Sequence, residues 1–376
     1  MIDLLIAGGG PAGLATAIHG ALAGLEVVVV EPRPTPIDKA CGEGLMPGAV
    51  RRLQELGVSV PGQPFRGIRY VDDASGLQAD GLFRSGPGLG ARRTDLQAAL
   101  AERAALLGVQ VLPQRVDQVR QGVDHVTAAG LTARYLVAAD GLHSPVRRGL
   151  GLSAPATPRR PARYGLRRHY AVEPWSDLVE VHWSARSEAY VTPLAPDRIG
   201  VAILTTDQAP FDEQLTHFPR LAARLAGDAG TPVRGAGPLR QGARVRVSGR
   251  VLFVGDAAGY VDALTGEGLA LAVTAAGELV RCVRAGRPAR PGRDGRGRTG
   301  AVRTGGPAAG LRTGLAGPVA QLPLAHRVTA LGAPAAAPRA PDRPARRPAA
   351  PRVHGGGQPA GLSGGARART RRHPAP

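Results

Sequence analysis

The sequence predicts an α/β fold. A central parallel sheet carries helices on its faces, an antiparallel sheet is inserted into it, and a basic C-terminal tail lacks a packed core. Three observations lead there. The first thirty residues read as an apolar strand, a glycine loop, a small-residue helix and a second apolar strand. Stretches in the middle of the chain alternate apolar and polar residues over strand length. Beyond residue 286 there is no aromatic residue, isoleucine, lysine or glutamate, and 30 of the last 90 residues are glycine or proline.

At 376 residues the chain can hold one large or two ordinary domains. Its formal charge of +19 would suit an acidic partner, but the charge is unevenly placed. Residues 287–376 carry 17 arginines and 2 aspartates, a net +15, which leaves +4 for residues 1–286. No nucleic-acid partner is therefore expected for that body. Cys41 and Cys282 are too few for a disulfide framework and lack metal-ligand spacing, so no metal is expected. No charged-then-apolar leader precedes the first strand, and no run of about 18 apolar residues could span a bilayer. These features predict a soluble, cytoplasmic protein.

The opening unit is the most specific. Ile2 to Ala7 is an apolar run of the length of a buried parallel strand. Gly8, Gly10 and Gly13 follow in GxGxxG spacing, and a small-residue helix runs from Ala12 to about Ala23. In such a unit the first glycine permits the tight turn, the second lets a pyrophosphate approach the backbone, and the third lets the helix pack on the strand. The helix N-terminus then offers free N–H groups and its positive dipole end to the phosphates. A second run, Glu26 to Val30, ends in Glu31, whose carboxylate can accept from ribose hydroxyls. Strand, glycines, helix, strand and acid in this order make a Rossmann-like dinucleotide site.

The next stretch, EPRPTPIDKACGEGLMPGAV, is rich in proline and glycine and holds Lys39, the only lysine of the chain. It leads to four motifs: GGGPAG near the start, ARRTDLQAAL at 91–100, ADGLHSPVR at 139–147 and VGDAAGYVDALTGEG at 254–268. Together they resemble the FAD-dependent oxidoreductases of the para-hydroxybenzoate hydroxylase and geranylgeranyl reductase superfamily, over about residues 1–286. The resemblance implies that Arg93 contacts the FAD diphosphate or its surroundings, and that Asp140 and Gly141 serve FAD and the nicotinamide cofactor. It implies that Asp256 binds the ribityl chain, with Gly255 allowing the approach. Gly266 and Gly268 would face the isoalloxazine ring. Asp140–Gly141 alone also reads as a common turn dipeptide. One of Arg92 and Arg93 reads as a solvated residue ahead of the helix. Cys41, in ACGEG, reads either as a small buried hydrophobe or as a catalytic group. His143 and His169 read as structural or surface groups.

Between the Asp-Gly and Gly-Asp motifs, YGLRRHYAVE, LVEVHWSARSEAYVTPLA and RIGVAILTT read as antiparallel strands with one wet face. They form the expected substrate sheet, inserted at about 66–87 and 153–242, with RGIRYVDDASG joining it. Tyr190 and Pro193 are expected to border the substrate over the flavin, as further catalytic candidates. Arg159, Arg160, Arg163, Arg167 and Arg168 read as a charged wet face, with an anionic substrate site as the alternative. A helical pattern runs from Phe211 to Gly227.

The resemblance implies FAD as cofactor and NAD(P)H as electron donor. The activity expected first is a monooxygenase acting on a small, largely apolar substrate. Two features limit that expectation. The histidine and prolines that such hydroxylases carry after Gly-Asp-Ala-Ala are replaced by Gly259, Asp262 and Ala263, and the TGEG ending is closer to the reductase branch. A reductase of carbon–carbon double bonds in a prenyl or lipid chain is the alternative, and a non-catalytic or truncated FAD-binding relative is the third. Halogenation is not expected, because Lys39 lies within the FAD loop. The tail, 287–376, reads as disordered. Its Arg, Pro, Gly and Ala are residues of GC-rich codons, so an out-of-frame translation beyond codon 286 is expected, with a natural basic tail as the alternative.

Overall fold

A computed structural model of the chain describes residues 1–155, 161–225, 227, 230–262 and 266–286. The tail, Arg159, Arg160 and Ala263 lie outside the described residues. The first sheet has a parallel core in the spatial order β19 (Val251–Phe253), β11 (Leu131–Ala138), β1 (Ile2–Ala7), β2 (Val27–Val30) and β8 (Gln110–Leu112). β18 (Val247–Ser248) edges β19, and the hairpin of β9 (Val119–Gln121) and β10 (Val126–Ala128) continues from β11. β1 and β2 are wholly apolar but for Asp3, as a sheet covered on both faces demands.

Three helices pack on one face: α1 (Pro11–Leu22), α3 (Arg93–Leu106) and α7 (Gly268–Ala285). Pro11 opens α1 where a missing N–H costs nothing, and Gly10 is its extended cap residue. Close packing of α1 on β1 follows from one glycine: a Cβ on Gly13 would lie 1.9 Å from the carbonyl oxygen of Gly8. A small sheet of β3 (Gly44–Leu45), β7 (Gly88–Gly90) and β4 (Gln63–Phe65) begins at the end of the 38–45 loop, and helix α2 (Pro47–Glu55) follows β3 in the chain. On the other face, Leu5, Val28, Leu136 and Phe253 form a second apolar cluster with Val146 of the short helix α4 (Pro145–Gly149).

The second sheet has seven strands in the order β16 (Arg234–Ala236), β12 (Tyr164–Tyr170), β15 (Arg198–Thr205), β14 (Ser187–Ala195), β13 (Val179–Trp183), β5 (Gly67–Asp72) and β6 (Gln78–Leu82). All its pairs are antiparallel except β13 with β5. A two-stranded ribbon of β17 (Gln241–Gly242) and β20 (Gly259–Tyr260) completes the described strands.

Two expectations are corrected here. The alternation in the second sheet does not make a wet face, since β14 and β15 are buried along almost their whole length. Ala189, Val191, Val201 and Ile203 pack on α5 (Phe211–Leu215) and α6 (Pro219–Leu225), while the polar alternates are buried in pairs with the loops of the first sheet. The single helix expected over 211–227 is two, because Pro219 has no N–H to continue the first.

The glycines of the first loop separate fold from function. A Cβ on Gly13 has no room, so Gly13→Ala is expected to destabilise the chain by about 3 kcal/mol or more. A Cβ on Gly10 would meet only Arg93 Nη2, at 3.8 Å, so Gly10→Ala should change stability by no more than about 0.5 kcal/mol. Thermal unfolding of the two variants checks this; equal losses would contradict it.

Candidate active site

The loop after β1 is braced from below. Gly8 N–H donates to the Val30 carbonyl at 2.9 Å, and Gly9 N–H donates to Glu31 Oε2 at 2.8 Å. A Cβ on Gly8 would lie 2.4 Å from the Ala139 carbonyl oxygen, so the chain passes between β1 and β11 only as glycine. Glu31 is buried, and Arg33 clasps both of its oxygens at 2.8 and 3.0 Å. Burial pushes the Glu31 carboxyl up, but the donors from Arg33 and Gly9 outweigh it and its pKa lies below the ordinary 4.5. Gln97, buried on α3, donates to the Gly9 carbonyl at 3.2 Å and accepts from Ile37 N–H at 3.1 Å.

Gly10 is the open point of this loop, and Arg93 faces it. Arg93 is buried at the N-terminus of α3, its Nη1 has no partner, and burial lowers its pKa. A buried guanidinium with an unpaired donor beside an open glycine suits a phosphate group. Arg92 is half-buried at the helix cap rather than solvated.

The two remaining motifs meet through Arg147. Asp140 and Gly141 follow β11, and Gly255 and Asp256 follow its neighbour β19. Arg147, 1% exposed, donates to the carbonyls of Leu142 at 2.7 Å, Ala257 at 2.8 Å and Asp256 at 3.3 Å. Ser144 caps α4 by accepting from Arg147 N–H at 3.0 Å. Asp140 Oδ2 accepts from Val146 N–H at 3.0 Å, while Oδ1 is buried without a partner, and burial raises its pKa. Gly255, at φ +61°, abuts the start of α1, where a Cβ would lie 2.6 Å from Ala12 Cβ. Gly266, at φ +65°, sits by Met46, and Gly268 opens α7 with free space around it. The unpartnered Arg93 Nη1 and Asp140 Oδ1, with the open Gly10, fit a dinucleotide laid from Glu31 past α1 to Asp256.

Loop 38–45 joins this region to the second sheet through Glu43, a non-glycine residue at φ +60°. Its Oε1 accepts from Arg93 N–H at 2.8 Å, and its Oε2 lies 2.6 Å from His169 Nε2. Arg167 Nη1 is 3.4 Å from His169 Nδ1 and can only donate, so Nδ1 accepts and Nε2–H donates to Glu43. Arg167 also pairs with Asp38. The described arginines of this segment, Arg163, Arg167 and Arg168, are therefore neither a wet face nor a free anion site. Arg163 pairs with Glu188 at 3.0 Å and Asp262 at 2.8 Å, and Arg168 pairs with Asp212. His143 is exposed beside the Gly237 carbonyl.

Among the catalytic candidates, Cys41 is half-buried and its Sγ accepts from Glu43 N–H at 3.4 Å. Burial pushes the thiol pKa up against the pull of Arg93. Tyr190 donates to Glu188 Oε2 at 2.8 Å and packs with Tyr260 around Leu142, Leu204 and Leu239. Burial raises both tyrosines' pKa. Pro193 is buried, its carbonyl against Gly90, so it shapes the sheet junction and presents little surface. Gln97, Glu43 and Arg147 went unassigned in the sequence because their partners are distant in the chain. The only signals were a Gln inside ARRTDLQAAL, an acid inside ACGEG and an Arg inside ADGLHSPVR.

Removing Arg147 would strand three buried carbonyls, so Arg147→Met is expected to cost about 3 kcal/mol or more in denaturant unfolding. A loss below about 1 kcal/mol would contradict the role given to it. Glu31 titrates below its ordinary value when folded. Its contribution is therefore complete above about pH 4.5 and is lost as the pH falls through the lower folded value. Stability measured from pH 6 to about pH 3 should fall less steeply in Glu31→Gln; parallel curves would refute this.

The family model for an FAD binding domain matches residues 1–164. The menaquinone reductase of Mycobacterium tuberculosis is 30% identical over 303 residues, covering 71% of this chain and 72% of the relative. The menaquinone reductase of Mycolicibacterium smegmatis is 33% identical over 307 residues, with the same shares covered. The crystal structure of p-nitrophenol 4-monooxygenase from Pseudomonas putida DLL-E4 superposes with a TM-score of 0.66 at 21% identity, over 76% of this chain and 80% of that one, a likeness of fold. On the identity and coverage of these relatives, together with the FAD-binding-domain match, the chain belongs to the FAD-dependent oxidoreductases of the para-hydroxybenzoate hydroxylase and geranylgeranyl reductase superfamily.

Proposed function

We propose that the chain is an FAD-dependent reductase, supplied with electrons by NAD(P)H, that saturates a carbon–carbon double bond in a prenyl or related lipid chain. Bound FAD supplies hydride chemistry. In this reading the N-terminus of α1, Gly10 and Arg93 hold the diphosphate, and Glu31 receives the ribose hydroxyls in place of the exposed Arg33 guanidinium that now clasps it. Asp256 receives the ribityl chain, with Gly255, Gly266 and Gly268 leaving room for the ring. Asp140 orients the turn that carries Gly141.

The observation that carries the proposal is the placement of Cys41. Saturating an isolated double bond needs a proton as well as a hydride. Cys41 carries a thiol proton on a loop fixed by Glu43, whose N–H donates to the thiol sulfur and whose carboxylate accepts from Arg93 N–H, the arginine that faces the open Gly10. The menaquinone reductases at 30% and 33% identity support the same choice. A second reading, monooxygenation, is favoured by the polar cluster of Arg163, Glu188, Tyr190 and Asp262, which would suit a small substrate with polar groups better than a lipid chain.

Anaerobic incubation with NAD(P)H and menaquinone or a geranylgeranyl lipid separates the readings. The reductase should yield a product whose prenyl chain, after any quinol has been reoxidised in air, is heavier by two hydrogens. Cys41→Ala should lower its turnover about 100-fold while FAD affinity stays within about threefold. A product carrying one added oxygen, formed only in air, would establish monooxygenation instead. For the cofactor site, Asp256→Ala should weaken FAD binding roughly ten- to a hundredfold through the loss of one charge-assisted bond. Gly10→Val should weaken it more, by filling the open point of the loop. Unchanged flavin affinity in both would move the site elsewhere.

A further inference from the structure

Lys39 is the only lysine among 48 basic residues, and it stands where the two cofactor turns come together. Its Nζ lies 3.5 Å from Asp256 Oδ2, and 3.6 Å from the point where a Cβ on Gly141 would sit. At 3.5 Å the pair is longer than an ordinary charge-assisted hydrogen bond. Its two side chains are 35% and 38% exposed, so this is no buried salt bridge fixed for stability. The arginines nearby are spent differently: Arg147 is shared among three carbonyls, and Arg163 and Arg167 are paired with carboxylates. Lys39 keeps a compact ammonium with three donors on a flexible stem, at the mouth of the site.

The charges around it give it a task. Asp140 and Asp256 both face a site that, on the reading above, receives a dinucleotide with two negative phosphates. Arg93 opposes that charge at the Gly10 end. Nothing but Lys39 forms an ion pair with Asp256 among the described residues. We infer that Lys39 is an FAD-binding residue, whose ammonium offsets Asp256 and supplies the second cation of the site beside Arg93. This rests on the FAD-site reading. It adds that the cofactor should cover the one lysine side chain, and that Lys39 and Asp256 should act as a unit in binding.

Because there is one lysine, acetylation by an amine-selective reagent reads this site directly. The Met1 amine, which pairs with Glu26, serves as an internal reference. With the full chain, saturating FAD should slow acetylation of Lys39 about tenfold or more, read by peptide mass spectrometry, and leave Met1 unchanged. Lys39→Met should raise the Kd for FAD about tenfold, and by a clearly smaller factor in an Asp256→Ala background. FAD uptake with Lys39 still labelled at its original rate, or with Kd unchanged in Lys39→Met, would overturn the inference and leave the cofactor site standing. A wild-type chain that takes up no FAD would overturn the site and the inference together.

Discussion

The buried guanidinium of Arg147 is the constraint on which the site depends. β11 and β19 touch over only three residue pairs, and the turns that follow them diverge from a narrow base. Their carbonyls need donors that the sheet cannot provide. Arg147 reaches back to Leu142 and across more than a hundred residues of chain to Asp256 and Ala257. One side chain thus sets the distance between the Asp-Gly turn and the Gly-Asp turn. Asp140, which anchors α4 through Val146, sets where Arg147 itself begins. The placement of Asp256 is a consequence of this packing, and ligand chemistry is built upon it.

A second constraint fastens the two sheets. Glu43 ties the N-terminus of α3 to His169 on β12, and its positive φ aims the Cys41 loop at the same place. Buried charge of this kind is costly unless every lone pair and proton is used. Here Arg93 N–H and His169 Nε2–H donate to the two carboxylate oxygens, while Arg167, paired with Asp38, lies 3.7 Å from Oε1 and its Nε makes no hydrogen bond. The thiol, the glycine loop and the second sheet are therefore held in one arrangement.

The parts legible in the sequence were those in which backbone geometry dictates the residue. Gly8 and Gly13 must be glycine because a Cβ would strike a carbonyl, and that requirement appears as spacing. β1 and β2 are apolar because both faces are covered. The parts that were not legible depend on partners brought together only by folding. Arg147, Glu43 and Gln97 look like surface residues until their carbonyls and amides arrive from distant segments. The same cause made the second sheet read as wet on one face: Arg167, His169 and Thr192 alternate correctly, but they are buried in pairs. The break at Pro219 was local and could have been read from that residue alone.

The central claim is that one bound dinucleotide engages turns from three separate strands at once. Hydrogen exchange of the full chain, with and without FAD, tests this most directly. The account predicts that amides at Gly8–Gly13, at Gly141–Ser144 and from Gly255 to Ala258 slow together on addition of FAD. The β5–β6 hairpin, far along the second sheet's edge, should exchange as before. Protection confined to the glycine loop, with the Asp256 turn unchanged, would contradict it.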